Sequence, residues 1–262
     1  MNTVGIIQAR ISSTRLPGKV LKKIEGKTIL EHVINRVRAA KKLDEVIVAT
    51  TVKKKDLEIV KLCANLGVSV FCGSEDDVLD RYYQTARLFK AEHIVRITSD
   101  CPLIDPMVID KVIELYFKKN ADYATNGMPE TFPDGLDTEV FSFKTLKRAW
   151  ENAKLSSERE HVTPYIRNNP NIFKIVNLKC NVDLKDKRWT IDEPEDFSFV
   201  KIIYKNLYPK DSLFGMETIL NYLRENPEIE KINKEIIRNE GYLKSLKEDK
   251  IISLDYKHSC NA

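Results

Sequence analysis

The chain has 262 residues, of which 42% are hydrophobic and 31% charged, so it carries enough apolar side chain for a core and is not compositionally disordered. Its 43 basic and 39 acidic residues leave a net charge of +4, a balance that does not suggest bulk nucleic-acid binding. No segment approaches the roughly 18 uninterrupted apolar residues of a membrane span, and the opening MNTVGIIQAR lacks the basic flank of a signal peptide.

In chain order, the first half alternates strand and helix. Val4–Gln8 is a short run rich in Val and Ile and predicts a buried strand. Apolar residues at helical spacing predict a helix over Thr28–Ala40. A strand over Glu45–Thr50, a helix over Asp56–Leu66 and a strand over Val68–Phe71 follow, with Gly67 suited to the helix end. Asp76–Phe89 predicts a helix, Ile94–Thr98 a fourth strand and Met107–Lys119 a further helix. Such repeated units require a mostly parallel sheet with helices on both faces, an α/β fold whose ligands sit at the carboxyl ends of the strands.

After Asn120 the pattern changes. Ala121–Thr125, Thr138–Ser142, Phe173–Leu178 and Arg188–Ile191 are strand-like, and long polar connections separate them. Helices are predicted over Phe197–Leu207, Met216–Glu225 and Glu228–Asn239. The expectation is a single domain over residues 1–243: a nucleotide-binding half (1–120), an α+β acceptor or dimer section (121–196) and C-terminal helices (197–243). Residues 244–262 read as a loosely attached polar tail. The five cysteines (63, 72, 101, 180 and 260) include no C-x-x-C pair, which argues for free thiols in a reducing cytoplasm.

The loop after the first strand carries the strongest signal. Gln8-Ala9-Arg10-Ile11-Ser12-Ser13-Thr14-Arg15-Leu16-Pro17-Gly18-Lys19 puts three cations on the ligand edge of the sheet, with small and hydroxyl residues between them. A solvated basic loop is the plain alternative. The functional reading is a triphosphate cradle, since Arg offers planar bidentate donors, Lys a compact charge and small residues an open backbone. The loop is neither a Walker A sequence nor a G-x-G-x-x-G dinucleotide fingerprint.

IIQARISSTRLPGKVL resembles the N-terminal signature of the CMP-sugar synthetases, the acylneuraminate and 3-deoxy-manno-octulosonate cytidylyltransferases, in particular their branch of SpsF-like spore-coat-polysaccharide proteins. The resemblance implies a Rossmann-like sheet of the nucleotide-diphospho-sugar transferase type. It also implies that Gln8, Ala9, Arg10, Ser13, Arg15 and Lys19 bind CTP, with Arg15 and Lys19 also catalytic. A loop at Gly73 and Ser74, braced by Arg81, would meet the cytosine and ribose; alternatively Ser74 only caps the next helix, with Asp76 and Asp77 in its first turn.

Asp100 ends the fourth strand and Asp192 ends a later one, before a Pro-started helix. Each has a plain reading, Asp100 as a turn or cap acid and Asp192 as an N-cap. By resemblance both hold Mg²⁺, which favours one or two carboxylates plus phosphate oxygens and water, and Asp100 counts as catalytic. Asp196 is expected in the first helical turn. Asn126, Asp137, Glu139, Glu160 and His161 are implied on the acceptor side, Asp137 and Glu139 on one face if they lie in a strand. His161 reads as a general base, a ligand of a sugar hydroxyl or a structural histidine. Arg159 and Arg167 are candidate cations for an acceptor carboxylate.

The implied reaction is in-line attack by a hydroxyl of an acidic sugar or related small acid on the α-phosphorus of CTP, with release of pyrophosphate, for surface-polysaccharide biosynthesis. The resemblance further implies a cytoplasmic homodimer that binds CTP and the small acid, with neither nucleic acid nor membrane as partner. Two rivals are a glycosyltransferase of similar fold and a silent nucleotide-binding or assembly protein. The first usually carries a D-x-D pair, whereas Asp183-Leu184-Lys185-Asp186 has the wrong spacing.

Overall fold

A computed structural model of the chain describes residues 2–252. In chain order the elements are β1 (Thr3–Gln8), β2 (Lys23–Ile24), β3 (Lys27–Thr28), α1 (Ile29–Arg38), β4 (Glu45–Thr51), α2 (Leu57–Asn65), β5 (Ser69–Gly73), α3 (Val78–Leu88), β6 (His93–Thr98) and α4 (Pro106–Lys119). Then come β7 (Tyr123–Thr125), β8 (Glu139–Ser142), α5 (Phe143–Asn152), α6 (Ser156–His161), α7 (Pro164–Arg167), β9 (Ile175–Asn177), α8 (Pro194–Leu207), α9 (Met216–Glu225) and α10 (Glu240–Lys247).

Seven strands form one sheet in the order β5-β4-β1-β6-β8-β7-β9, and β2 and β3 make a separate small hairpin. Only β8 runs antiparallel to its neighbours in the main sheet. The chain moves outward from β1 to β4 and β5, then crosses to β6 on the other side of β1. That reversal leaves a crevice at the carboxyl ends of β1 and β6, where Gln8 is paired with Thr98. The family-type expectation of a mostly parallel, helix-flanked sheet is therefore met.

The alternation within β1 shows why both faces are covered. Val4 and Ile6 pack with α3 and α5, through Leu79, Tyr82 and Leu146, whereas Ile7 packs against Val33 of α1 and Val112 of α4. A third cluster joins α8 and α9 to Leu16, Leu103, Trp189 and Ile191, so the C-terminal helices clamp the loops that carry Arg15, Asp100 and Asp192. Gly135 belongs to this clamp. Its φ is 101°, and a Cβ there would lie 2.7 Å from the backbone of Trp189 and Thr190, so only glycine fits.

The second half differs from expectation in several places. Three helices, α5, α6 and α7, occupy what read as polar connections. α5 is strongly amphipathic, with Thr145, Leu146 and Ala149 buried, so its helical period was present in the sequence although the segment read as a connection. Arg188–Ile191 is not a strand; Arg188 only bridges Asp134, and Trp189 and Ile191 are held by Asp134 and Asp100 carbonyls. Helix is absent from most of Glu228–Asn239, where only Ile229–Ile232 forms a short 3-10 turn. Residues 244–252 are also no loose tail: α10 rests on α6, Ile251 bridges Leu155, and Ile252 donates to the Lys154 carbonyl. The rest of the proposed tail, with Cys260, lies outside the described residues. Among the described residues no helix is long and apolar enough to cross a membrane.

Candidate active site

The first loop is folded by its own chain and by two acids that the sequence did not single out. Asp56 accepts from the Ile11 amide at 2.8 Å and from the Thr51 hydroxyl, and Glu75 accepts from the Ser12 hydroxyl at 2.7 Å. Gly18, with φ 67°, closes the turn and donates to the Ile11 carbonyl at 3.3 Å. Ala9 donates to the Ala49 carbonyl, and Ser13 accepts from the Leu16 amide at 3.4 Å. Arg10 is exposed and has no hydrogen-bond or ion-pair partner among the described residues. The Gln8 Oε1 is buried without a hydrogen bond, as is the Thr50 hydroxyl at the same sheet edge.

Lys19 lies where the two distant aspartates meet. Its ammonium donates to Asp100 Oδ2 at 2.9 Å, to Asp192 Oδ1 at 2.8 Å and to the Ile191 carbonyl at 2.8 Å. Burial works against its charge, yet the two carboxylates prevail and hold the ammonium well above the usual lysine range. Burial likewise disfavours the Asp100 carboxylate, but the Lys19 ammonium holds its pKa down to about 2. Neither aspartate caps a helix. Asp105 caps α4, accepting from the Met107 amide at 2.7 Å, and the amides before α8 are taken by Asp196. The capping alternatives for Asp100 and Asp192 are thus displaced by neighbours.

Asp196 sits in the first turn of α8, as expected, and does more than favour the helix dipole. It is fully buried and accepts from Arg188 Nε and Nη2, Asn233 Nδ2, and the amides of Asp192 and Glu193, all at 2.9 or 3.0 Å. Arg188 also reaches Asp192 Oδ2 at 3.3 Å and Asp134 Oδ2 at 3.1 Å. Burial and the neighbouring Asp137 carboxylate push the Asp134 carboxyl up to about 7. Arg15 completes the group, reaching Asp192 and Glu193 at 3.2 Å and Glu240 of α10 at 2.7 Å.

Beside this group, Gly73 ends β5 and Arg81 braces the following loop, donating to the Ser74 carbonyl at 2.6 Å. A Cβ on Gly73 would press on Phe71 at 2.8 Å and on Arg81 at 3.2 Å. Ser74 does not cap α3. It accepts from the Asp77 amide at 3.0 Å, and Asp77 is the cap, accepting from Asp80.

The proposed acceptor residues divide into separate groups. Asn126 is a buried clamp, donating to the Leu136 carbonyl and accepting from Thr138, both at 2.8 Å. β8 begins only at Glu139, so the two-residue period does not reach Asp137 and the pair shares no strand face. Asp137 accepts from Arg238 at 2.9 Å and from the Gly135 amide at 3.1 Å. Glu139 is buried and bonded by Arg96, by the Tyr123 hydroxyl and by Thr163 at 2.6 Å; burial opposes its charge, but Arg96 holds it low.

His161 and Glu160 end α6 and share the Ser245 hydroxyl of α10, each at 2.9 Å. The Tyr242 ring lies edge-on to His161 with centroids 4.9 Å apart. Burial lowers the His161 pKa to about 4, so its ring is neutral near pH 7. Val162 follows with φ 71°, a conformation a β-branched residue holds only when its surroundings fix it. Arg159 is excluded as an acceptor cation: it is buried and bonded to Asp77 and the Trp150 carbonyl. The Arg167 guanidinium lies over the Tyr242 ring at 5.2 Å and has no side-chain hydrogen bond or ion pair among the described residues.

A family model described as cytidylyltransferase matches residues 4–249. The chain belongs to the cytidylyltransferase family. It is accordingly a CTP-dependent nucleotidyltransferase. It is 33% identical over 230 residues to the spore coat polysaccharide biosynthesis protein SpsF of Bacillus subtilis, covering 85% of this chain and 94% of that one. Over 115 residues it is 40% identical to a 3-deoxy-manno-octulosonate cytidylyltransferase of Geobacter sulfurreducens, 43% of this chain and 44% of that one. A solved cytidylyltransferase from Leptospira borgpetersenii superposes with a TM-score of 0.85 at 33% identity, covering 90% of this chain and 99% of that one. The silent-protein and glycosyltransferase alternatives fall with these matches. What the cytidylyltransferase held out of sight in its sequence is its bracing: Asn233, Arg238 and Glu240 all lie far along the chain from Asp196, Asp137 and Arg15, the residues they position, and no local pattern marks them.

Proposed function

We propose that the cytidylyltransferase transfers CMP from CTP to a hydroxyl of an acidic sugar or related small acid, releasing pyrophosphate. The observation that carries this reading is the meeting of Asp100 and Asp192 on one ammonium, Lys19, directly beside the Arg10–Arg15 loop. Two carboxylates held around one cation at the switch point of a nucleotide-binding sheet suit a divalent metal as well as they suit Lys19, since Mg²⁺ takes one or two carboxylates and fills its other positions with phosphate oxygens and water. Asp100 and Asp192 would hold the ion, which when bound neutralises charge on the phosphates.

The chain's own groups do the rest. Arg10, Arg15 and Lys19 bind and orient the triphosphate, and their charge offsets what builds up as pyrophosphate leaves. Gln8, with its unpaired Oε1, and the Gly73–Ser74 loop border the place for the nucleoside. The acceptor would enter beside Glu139, His161 and Arg167, where Arg167, near Glu139 but without an ion pair among the described residues, would meet the acid. The neutral His161 ring can take a proton or bind a hydroxyl, and no covalent enzyme intermediate is needed. The same reading carries Mg²⁺ as the metal, the cytoplasm as the compartment, a homodimer as the assembly and surface-polysaccharide synthesis as the setting. SpsF and the octulosonate enzyme support it through what their names say of them.

The test is incubation with CTP, Mg²⁺ and a panel of acidic sugars and phosphorylated small acids, with pyrophosphate and CMP-linked product both measured. Product with an acid and none with its reduced, uncharged analogue is the expected result. Turnover that ignores the acid group, or that persists undiminished in Asp100→Asn, would refute the reading.

A further inference from the structure

Away from the crevice, behind the turn that carries Asp100, α1 and the end of α8 enclose a cavity of about 240 Å³. Its walls are Lys27, His32, Asn35, Arg36, Tyr208, Ser212 and Leu213, six side chains with polar groups and no carboxylate. Arg36 is the unusual member. It is 1% exposed and pairs with no carboxylate among the described residues. Its Nε and Nη2 donate to the carbonyls of Ile104 and Phe214, each at 2.6 Å, and its Nη1 is buried with no hydrogen-bond partner. Stacking over the Phe214 ring at 4.9 Å supports the guanidinium plane but supplies no acceptor. A buried cation without a counter-ion is disfavoured by desolvation, and proteins retain one where something negative completes it.

The rest of the wall offers donors of the kind that completion requires. Lys27 brings a second cation, tethered at the rim by Glu31 at 3.5 Å and lying beside the Tyr208 hydroxyl. Asn35, Tyr208 and Ser212 bring an amide and two hydroxyls. His32 turns its Nε2 to the Ile24 carbonyl at 2.8 Å, which fixes the ring against Tyr204 and Tyr208. Arg and Lys together over hydroxyl and amide donors make a site for a small oxyanion, with the guanidinium giving direction and the ammonium charge.

We propose that this cavity is a second anion site of the enzyme, for a phosphate-type oxyanion, distinct from the nucleotide loop. Its placement gives it a consequence. Arg36, in the wall, holds the Ile104 carbonyl, and Tyr204, packed against His32 of the wall, holds the Pro102 carbonyl at 2.6 Å, so the cavity is tied to the same turn that presents Asp100. An anion that fixes Arg36 stiffens that turn from behind. The inference does not depend on the identity of the acceptor or on the transfer reaction.

The experiment titrates inorganic phosphate into the full chain by calorimetry, with thermal melting alongside. Because the nucleotide loop also attracts phosphate, the titration is repeated in an Arg15→Ala/Lys19→Ala double variant. The expected result is a saturable site that the double variant keeps within about twofold, and that Lys27→Ala weakens about fivefold or more, the range of a partly exposed charge contact. Arg36→Lys, which keeps the charge but loses the fork, is expected to weaken it further; if that variant melts too low to titrate, Lys27→Ala still decides. No saturable binding in the wild type, or binding that the double variant loses and Lys27→Ala keeps, overturns the proposal.

Discussion

The Arg15 guanidinium and the Glu240 carboxylate, 225 residues apart in sequence, meet at 2.7 Å. Arg15 is thus shared among Asp192, Glu193 and Glu240 before any nucleotide arrives. A triphosphate must take that guanidinium from at least one of them. Glu240 is the one most readily given up, since its side chain is 59% exposed and α10 buries no residue of its own. Replacing Glu240 by Gln removes the competing charge and should tighten CTP about two- to fivefold, the scale of an exposed ion pair. Calorimetric titration of CTP measures this. Unchanged or weaker binding would mean that Arg15 does not touch the phosphates.

Lys19 stands between Asp100 and Asp192 and bonds both, whereas Arg15 and Arg188 reach only Asp192. In Lys19→Ala the pair gains mutual repulsion and loses its internal cation. Turnover should fall by about a hundredfold or more, as when one preorganised charge is removed from a transition state. Mg²⁺ should at the same time raise the melting temperature of Lys19→Ala more than that of the wild type, because the ion then no longer competes with the Lys19 ammonium for the two carboxylates. Equal Mg²⁺ shifts in the two proteins would separate the metal site from these aspartates.

The part of this site that could be read in sequence is the part built from contiguous residues. The loop from Gln8 to Lys19 and the strand end at Asp100 follow from apolar runs that stop at polar turns, and the sheet puts such ends on one edge. Asp192 also read as a strand end, but Arg188–Ile191 forms no strand, and what brings Asp192 to Lys19 is the bonding of the Ile191 amide to the Asp100 carbonyl and of its own amide to Asp196. The acceptor side was less legible. Asp137 looked like a same-face strand neighbour of Glu139 because one residue separates them, but Gly135 turns the chain sharply and β8 starts late. Ser74 and Asp192 looked like caps, but Asp77 caps α3 by accepting from the Asp80 amide, and at α8 the cap position falls to Glu193, whose amide Asp196 reaches back to take. The second half of α10, from Lys244, read as tail because nothing in it is buried; polar contacts to Arg15, His161 and Ser157 hold its segment in place, and such contacts leave no hydrophobic period to detect.

His161 makes stability depend on pH in a definite direction. Burial lowers its folded pKa to about 4, below the ordinary value of 6.5, so the fold favours the neutral ring. Its contribution is complete above about pH 6.5 and is lost as pH falls from there toward 4, where unfolding releases the ring to take a proton. Its side chain is 24% exposed, so water reduces the effect to about 1–2 kcal/mol. Denaturant midpoints of the wild type should drop between pH 6.5 and 4.5, and those of His161→Gln should drop less. Parallel curves for the two proteins would assign the acid sensitivity elsewhere.

Asp196 joins stability to function through a single carboxylate. It satisfies the guanidinium of Arg188, the amide of Asn233 and the two backbone amides that precede α8, all without access to water. Burial opposes its charge, but the Arg188 hydrogen bonds keep it below the usual carboxylate range. Asp196→Ala strands Arg188 in the interior and frees the Asp192–Glu193 turn, at a cost of about 3–5 kcal/mol, the range for breaking a buried ion pair from one side. Asp196→Asn keeps the shape and much of the hydrogen bonding while losing the charge, so it should cost less. If Asp192 is set by this carboxylate, Asp196→Asn should fold yet need more Mg²⁺ for half-maximal pyrophosphate release, with little change in the CTP concentration required. A folded Asp196→Asn enzyme with an unaltered Mg²⁺ requirement would show that the turn holds Asp192 without it.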